Sequence, residues 1–382
     1  MEEERRALLS VVKSARRLHG YGTHPQPSST MLRSRARSVF MIALAVASLV
    51  TPSLATLSAQ RATTAADAGR WLAALADDSL LGRLTGSEGA QKAARMIADR
   101  MQRLGLEPLG DDGFLQRVPI FMAPPRQQGG ADRLALGASF AALDTLPAEK
   151  RRRAANVVGL LRGSDPVLRD EYVILGAHYD HIGVSGARAV EGDSIFNGAD
   201  DDASGVVAML ETARQLSEGR APKRSVIFVA FIGEENGMTG TTWFIRNPPR
   251  PLAQVVADLQ VEMIGRPDSV AGGPGKGWLT GFERSTMGDL LSAAGVALTA
   301  DPRPAQNFFM RSDNYPFALE GIPAHTISSF GGHTDYHGVN DEVDRMDLAH
   351  VAAVINATAK AVRVLADGER VVWKEGGKPE RR

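Results

Sequence analysis

Residues 226–235 read VIFVAFIGEE and residues 173–181 read VILGAHYDH. Each is a near-continuous apolar run of strand length that stops on ionisable side chains. Strands that are apolar on both faces must be covered on both faces, and here they alternate with segments of helical periodicity. That combination predicts an α/β sheet with helices on either side. Outward from these two runs, strands are expected at 156–161, 172–177, 225–231, 255–263 and 322–327. Helices are expected at 65–75, 88–104, 203–216, 241–246, 285–294, 313–320 and 348–365. The Pro-, Gly- and Gln-rich stretch 124–150 reads as an irregular connection with one edge strand. The fold class expected is α/β: a single globular domain whose mixed, mostly parallel central sheet carries helices on both faces.

The chain has 382 residues, more than one core usually needs, so one large domain over 60–370 with dispensable ends is expected. Residues 1–30 read as an upstream extension and 31–59 as a signal peptide: Arg33, Arg35 and Arg37, then the apolar run 39–50, then small residues around Ala55 and Ala59. The run is about a dozen residues, short of the roughly 20 that span a bilayer. A cleaved leader, export to the periplasm or medium, and no stable membrane association are therefore expected. The polar end, 371–382, is expected to be a disordered tail. Lys plus Arg equals Asp plus Glu at 44 each, which leaves no footprint for a nucleic-acid partner. Cysteine is absent, which excludes disulfides, thiolate ligands and a catalytic thiol, so any metal must be held by His and carboxylates. Nothing in the composition reports the oligomeric state.

Ligands of open α/β sheets gather at the carboxyl ends of strands, and the expected strands end alike. His178, Asp180 and His181 close one, Glu234 and Glu235 another, and Glu262 a third in VVADLQVEMIG, 255–265. NGADDDASG, 197–205, supplies Asp200, Asp201 and Asp202 before a helix, and GGHTDYHGVNDE, 331–342, supplies His333, Asp335, Tyr336 and His337. Each has an ordinary explanation. A strand-end His is commonly just hydrogen-bonded, and an Asp run ahead of a helix can be a turn and N-cap. Glu234 and Glu235, however, follow a run that should be buried, where adjacent carboxylates repel unless a cation or proton intervenes. His and carboxylates are the ligands zinc requires in a chain without Cys. Two close metals need one bridging carboxylate, with one His and one further carboxylate each. Five candidates from five segments meet that count.

The runs AHYDHIG, NGADDDASG, FIGEENGMTG, VEMIG, MRSDNYPFA and DYHGVNDEVDRMD, in this order, resemble the co-catalytic zinc exopeptidases, the family of bacterial leucine aminopeptidases and glutamate carboxypeptidase II. The likeness spans roughly 65–366, and GRLTGSEG, 82–89, resembles the family's start. It implies two zinc ions per chain held by His178, Asp201, Glu235, Glu262 and His337, with Asp201 bridging and the peptide bond after it cis. It further implies Asp180 orienting His178 through the other ring N–H, Glu234 as general base, and Tyr336 as a stabiliser of the oxyanion. Glu262 stands where the family usually has Asp, and Asn314 where His often follows the Asp. The DYH context favours His337 over His333 as ligand, His181 and His325 are expected to be structural or on the substrate side, and His350 to lie on the surface. The substrate pocket is expected near the loops 278–284 and 306–311. An aminopeptidase acting on peptides is the activity implied. A carboxypeptidase or dipeptidase on the same scaffold would need a cation for the substrate's terminal carboxylate, for which Arg311 beside Ser312 is the candidate. The same motifs also leave open a single-zinc glutaminyl cyclase and a non-enzymatic binding ectodomain.

Overall fold

A computed structural model describes residues 61–127 and 129–381. The expected upstream extension and signal peptide lie outside the described residues. In chain order the strands are β1 (Glu107–Pro108), β2 (Leu115–Ala123), β3 (Arg133–Leu136), β4 (Arg151–Leu161), β5 (Tyr172–His178) and β6 (Gly183–Val184). They continue with β7 (Ile195–Phe196), β8 (Ser225–Phe231), β9 (Val255–Val261), β10 (Gly277–Leu279), β11 (Leu298–Ala300) and β12 (Ala324–Ser328). The helices are α1 (Ala65–Leu75), α2 (Glu88–Arg103), α3 (Phe140–Asp144), α4 (Gly205–Glu218), α5 (Thr239–Arg246), α6 (Thr286–Ala293), α7 (Asn314–Leu319) and α8 (Leu348–Asp367).

Ten strands make one sheet in the order β11-β10-β12-β9-β5-β8-β4-β2-β3, with β1 beside β4. Its centre is parallel: β5 pairs with β8 on one side and β9 on the other, and β12 runs parallel to β9. Beyond β8 the sheet turns antiparallel through β4, β2 and β3. Every residue of β5, β8 and β9 is buried, as the apolar runs required. Alternate side chains go to opposite faces. Val226, Phe228 and Ala230 join the larger core beneath α1, α2, α4 and α8, while Ile227, Val229 and Phe231 pack with Phe244 of α5 and Phe317 of α7. The sheet is thus covered on both sides by helices, as expected. α8 is long and apolar enough to cross a membrane, but here its buried face packs on α1, α4 and β5.

Several boundaries differ from the sequence reading for physical reasons. β4 starts at Arg151, because residues 151–155 pair along β2 on a half-buried edge where arginines break the apolar pattern. β2 itself, LQRVPIFMA, carries Pro119 and Arg117 and so has no strand signature of its own. α4 begins at Gly205, and residues 199–204 form a wide irregular turn with a cis Asp201–Asp202 bond, as the resemblance implied. Gly198 opens that turn at φ 55°, where a Cβ would lie 2.2 Å from the Asp201 carbonyl oxygen.

Two expectations are corrected. Within 371–382, expected as a disordered tail, the residues up to Arg381 pack on the body: Val371 is buried, the Trp373 indole N–H donates to the Gly321 carbonyl at 2.9 Å, and Lys374 reaches Asp289 at 2.7 Å. Two apolar anchors fix a segment whose composition is otherwise polar. His350, expected at the surface, is 1% exposed. Its Nδ1 accepts the Gly275 N–H at 2.9 Å and its Nε2 lies 2.9 Å from the Ser329 hydroxyl, so the polar ring is satisfied inside the helix face.

Candidate metal centre

The parallel centre of the sheet delivers its carboxyl ends to one place. His178 ends β5, Glu234 and Glu235 follow β8, Glu262 follows β9, Asp201 lies in the turn before α4, and His337 comes from the loop after β12. Asp201 stands between two imidazoles: Oδ1 is 3.1 Å from His178 Nε2, and Oδ2 is 3.1 Å from His337 Nε2. Glu235 Oε1 is 3.1 Å from the same His337 nitrogen. Glu262 and Glu234 line the same cavity as His178 and Asp201. All five expected ligands are therefore brought together.

Two groups hold the turn that carries Asp201. Asp341 accepts the main-chain N–H of Asp200 at 2.9 Å and of Asp201 at 3.0 Å, one on each oxygen. Arg83, 1% exposed, donates to four carbonyls: Tyr179 at 2.8 Å, Leu75 and Asn197 at 2.6 Å, and Gly198 at 2.9 Å. It thereby staples the end of β5 to the start of the turn. Neither role is legible in the sequence. Arg83 lies in the GRLTGSEG motif, but its partners are main-chain carbonyls that only the fold assembles. Asp200 and Asp202 take the ordinary role expected of an Asp run. Asp202 Oδ1 accepts from Gly205 N at 2.9 Å and Met263 N at 3.1 Å, and Asp200 Oδ2 pairs with His333 Nε2 at 2.9 Å, which keeps His333 away from the centre.

Asp180 departs from its expected part. His178 Nδ1 faces the Asp180 main-chain carbonyl at 3.1 Å, whereas the Asp180 carboxylate is 3.8 Å away. The carboxylate instead accepts from the Thr85 hydroxyl at 2.8 Å and from the Glu234 N–H at 3.2 Å. The carbonyl still fixes the tautomer, leaving Nε2 free to face Asp201. His181, expected to be structural or on the substrate side, belongs to the cluster: its Nδ1 is 3.0 Å from Glu235 Oε1 and 3.9 Å from Asp201 Oδ2. His337 sits within 3.1 Å of both carboxylates, while His181, Asp201 and Glu235 also offer ligand atoms within 4.8 Å of one another, so His181 joins the residues that could hold an ion. Tyr336 stacks on the His337 ring at 3.9 Å between centroids and faces the same cavity.

Charge crowds this pocket. Burial pushes Glu262 up to about 7 and Asp313 up to about 6. Burial also raises Glu234, which the nearby His178 opposes and the Glu262 carboxylate reinforces. Glu235 is held down to about 2 against its burial by the imidazoles of His181 and His337, and His337 rises to about 9 against its own burial beside Asp201 and Glu235. Glu262 Oε2 is buried with no hydrogen-bond partner. Zinc–ligand bonds of about 2.0–2.1 Å place neighbouring tetrahedral ligand atoms roughly 3.3 Å apart, close to the separations around Asp201. The donor set, its spacing and the orphaned oxygen fit a divalent ion.

The cavity beside these residues is narrow, about 40 Å3, and opens to solvent. Trp278, Phe308 and Arg311 from the two loops expected around the substrate wall it, and Phe330, 6.1 Å from the Phe308 ring, continues the lining to Tyr336. Asn314 locks the second loop: its amide donates to the Phe309 carbonyl at 3.0 Å and its oxygen accepts the Thr326 hydroxyl at 3.0 Å.

A His and carboxylate cluster with a buried Glu beside it, at the carboxyl edge of a covered α/β sheet, defines a metal-dependent hydrolase. The model of Peptidase family M28 matches residues 156–362, more than half of the chain, and the chain belongs to that family. The resemblance read from the motifs is thereby borne out. A probable zinc metalloprotease of Pyrenophora teres f. teres (strain 0-1) is 37% identical over 110 residues, 28% of this chain and 22% of that protein. The uncharacterized protein YfbL of Escherichia coli (strain K12) is 29% identical over 219 residues, 48% of this chain and 64% of the other. The chain spans less than two thirds of the length of these curated relatives. Among solved structures, a zinc aminopeptidase from Bacillus subtilis superposes with a TM-score of 0.59 at 15% identity, over 80% of this chain and 95% of that one. An aminopeptidase from Aneurinibacillus sp. strain AM-1 gives 0.57 at 16% identity, over 85% and 99%. At such identities these two likenesses speak for the fold.

Proposed function

We propose that this chain is an exported zinc aminopeptidase that uses two metal ions per chain to hydrolyse the bond after the first residue of a peptide. The observation that carries the reading is Asp201, whose two oxygens each face a different imidazole at 3.1 Å. One ion would be held by His178, Asp201 and Glu262, the other by Asp201, Glu235 and His337. Zinc there supplies Lewis acidity that acidifies water towards a pKa of about 7 and polarises a carbonyl oxygen.

The remaining steps belong to the protein. Glu234 lines the cavity and its main chain is tied to Asp180, so its carboxylate is aimed by the same strand end that carries the ligands. Burial raises its proton affinity, which suits a base that takes a proton from attacking water and returns it to the leaving amine. The Tyr336 hydroxyl donates to the carbonyl oxygen as charge builds on it. The similar zinc aminopeptidase of B. subtilis and the shared family support the peptide substrate and zinc. Export rests on the leader-like sequence 31–59, and N-terminal sequencing of the periplasmic or secreted protein checks it.

Offering aminoacyl anilides and their N-blocked versions to the metal-loaded protein tests the activity. Free substrates should be cleaved, blocked ones hardly at all; equal cleavage of both overturns the aminopeptidase reading. In Glu234→Ala, bound zinc should persist while kcat falls by about 10²- to 10⁴-fold.

A further inference from the structure

We propose that Arg311 seats a carboxylate of the substrate, so that the preferred peptides carry one within a residue's reach of the cleaved bond. The source is either an acidic first side chain or the C-terminus of a dipeptide. The inference rests on the aminopeptidase reading above and names the substrate class it leaves open.

The cavity wall holds Asp201, Glu234 and Glu262, and Arg311 is its one Arg or Lys among the described residues. The Arg311 guanidinium lies over the Phe308 ring at 5.1 Å, and among the described residues it forms no ion pair. An arginine stays protonated at any working pH, and its planar fork matches a carboxylate through two parallel hydrogen bonds. Arg311 is exposed, so its donors can exchange water for an anion that enters the cavity they line. A second donor points the same way. Trp278 is 2% exposed, lines the cavity, and its indole N–H is buried with no acceptor. Its ring packs at 5.2 Å on Phe308, the same ring that Arg311 covers. Trp278 of β10, with Phe308 and Arg311 of the loop that Asn314 ties down, thus forms one aromatic-backed wall that carries two kinds of donor.

The test compares kcat/KM within two pairs on the metal-loaded protein: Glu- against Gln-p-nitroanilide, and Leu-Gly against Leu-Gly-amide. One pair should favour its carboxylate member by about tenfold or more, and which pair does so identifies the source. In Arg311→Gln that ratio should fall to about one, while Arg311→Lys keeps part of it. Binding of Leu-Gly and of Leu-Gly-amide, and of glutamate and of glutamine, to the Glu234→Ala protein by calorimetry gives the same ratios without turnover. Ratios near one in both pairs for the wild-type protein, or a ratio that survives Arg311→Gln, overturn the proposal. Cleavage of N-blocked substrates would remove the aminopeptidase reading alone, since the ratios and their dependence on Arg311 would still be measured.

Discussion

Asp341 touches no metal ligand atom, yet it grips the main chain on both sides of the Asp200–Asp201 bond and so sets where the Asp201 carboxylate points. Asp341→Ala should therefore weaken zinc binding by about 10- to 100-fold, as loss of groups that orient ligands commonly does, read by competition with a chromophoric chelator. An affinity equal to the wild type would mean that the turn holds its shape without the clamp. The proposed ligands are legible because each sits at a strand end marked by an apolar run or in a motif of the family. Asp341 and Arg83 are not, since a clamp on main-chain groups leaves no pattern in side chains. Asp180 illustrates the intermediate case: its nearness to His178 follows from the sequence, but which of its oxygens faces the imidazole depends on backbone direction at the strand end. Glu262, longer by one methylene than the Asp usual there, does reach the same cavity.

At the scale of elements, β5, β8 and β9 are readable almost to the residue because both faces are buried, whereas β2, β10 and β11 escape a sequence reading. β10 and β11 have only three residues each, too few for any period, and their pairing is set by neighbours distant in sequence. β12 carries a testable group. His325 Nδ1 donates to the Thr280 carbonyl at 2.7 Å and its Nε2 accepts from the Ser285 hydroxyl at 2.7 Å. Burial, with Arg284 adding to it, pushes this imidazole down to about 4 from its ordinary 6.5. Between those values the unfolded chain binds a proton that the native protein refuses, so stability rises with pH. His325 thus contributes fully above pH 6.5, and the contribution is lost on acidification towards pH 4, by roughly 3 kcal/mol at most. Thermal unfolding of wild type and His325→Gln across this range should show the variant's midpoint falling less steeply with acid. Parallel curves would show that other groups carry the acid response.

For the whole molecule, the site gathers more carboxylates than its imidazoles can balance, and in the metal-free protein burial raises the proton affinity of Glu234 and Glu262. Chelation should lower the unfolding temperature, and zinc should restore it with two ions bound per chain. Free zinc at 100 times its dissociation constant would contribute about 2.7 kcal/mol per site. Restoration complete at one ion per chain would point to a mononuclear centre instead. The C-terminal segment adds a different consequence. The Trp373 ring meets Phe309 edge-on at 6.5 Å and lies tilted against His325 at 5.7 Å, behind the loop that presents Phe308 and Arg311. Trp373 therefore buttresses the Phe308–Arg311 loop from outside the cavity. A change at Trp373 would reach the cavity through the back of its wall, by loosening the loop and not by touching the His and carboxylate cluster.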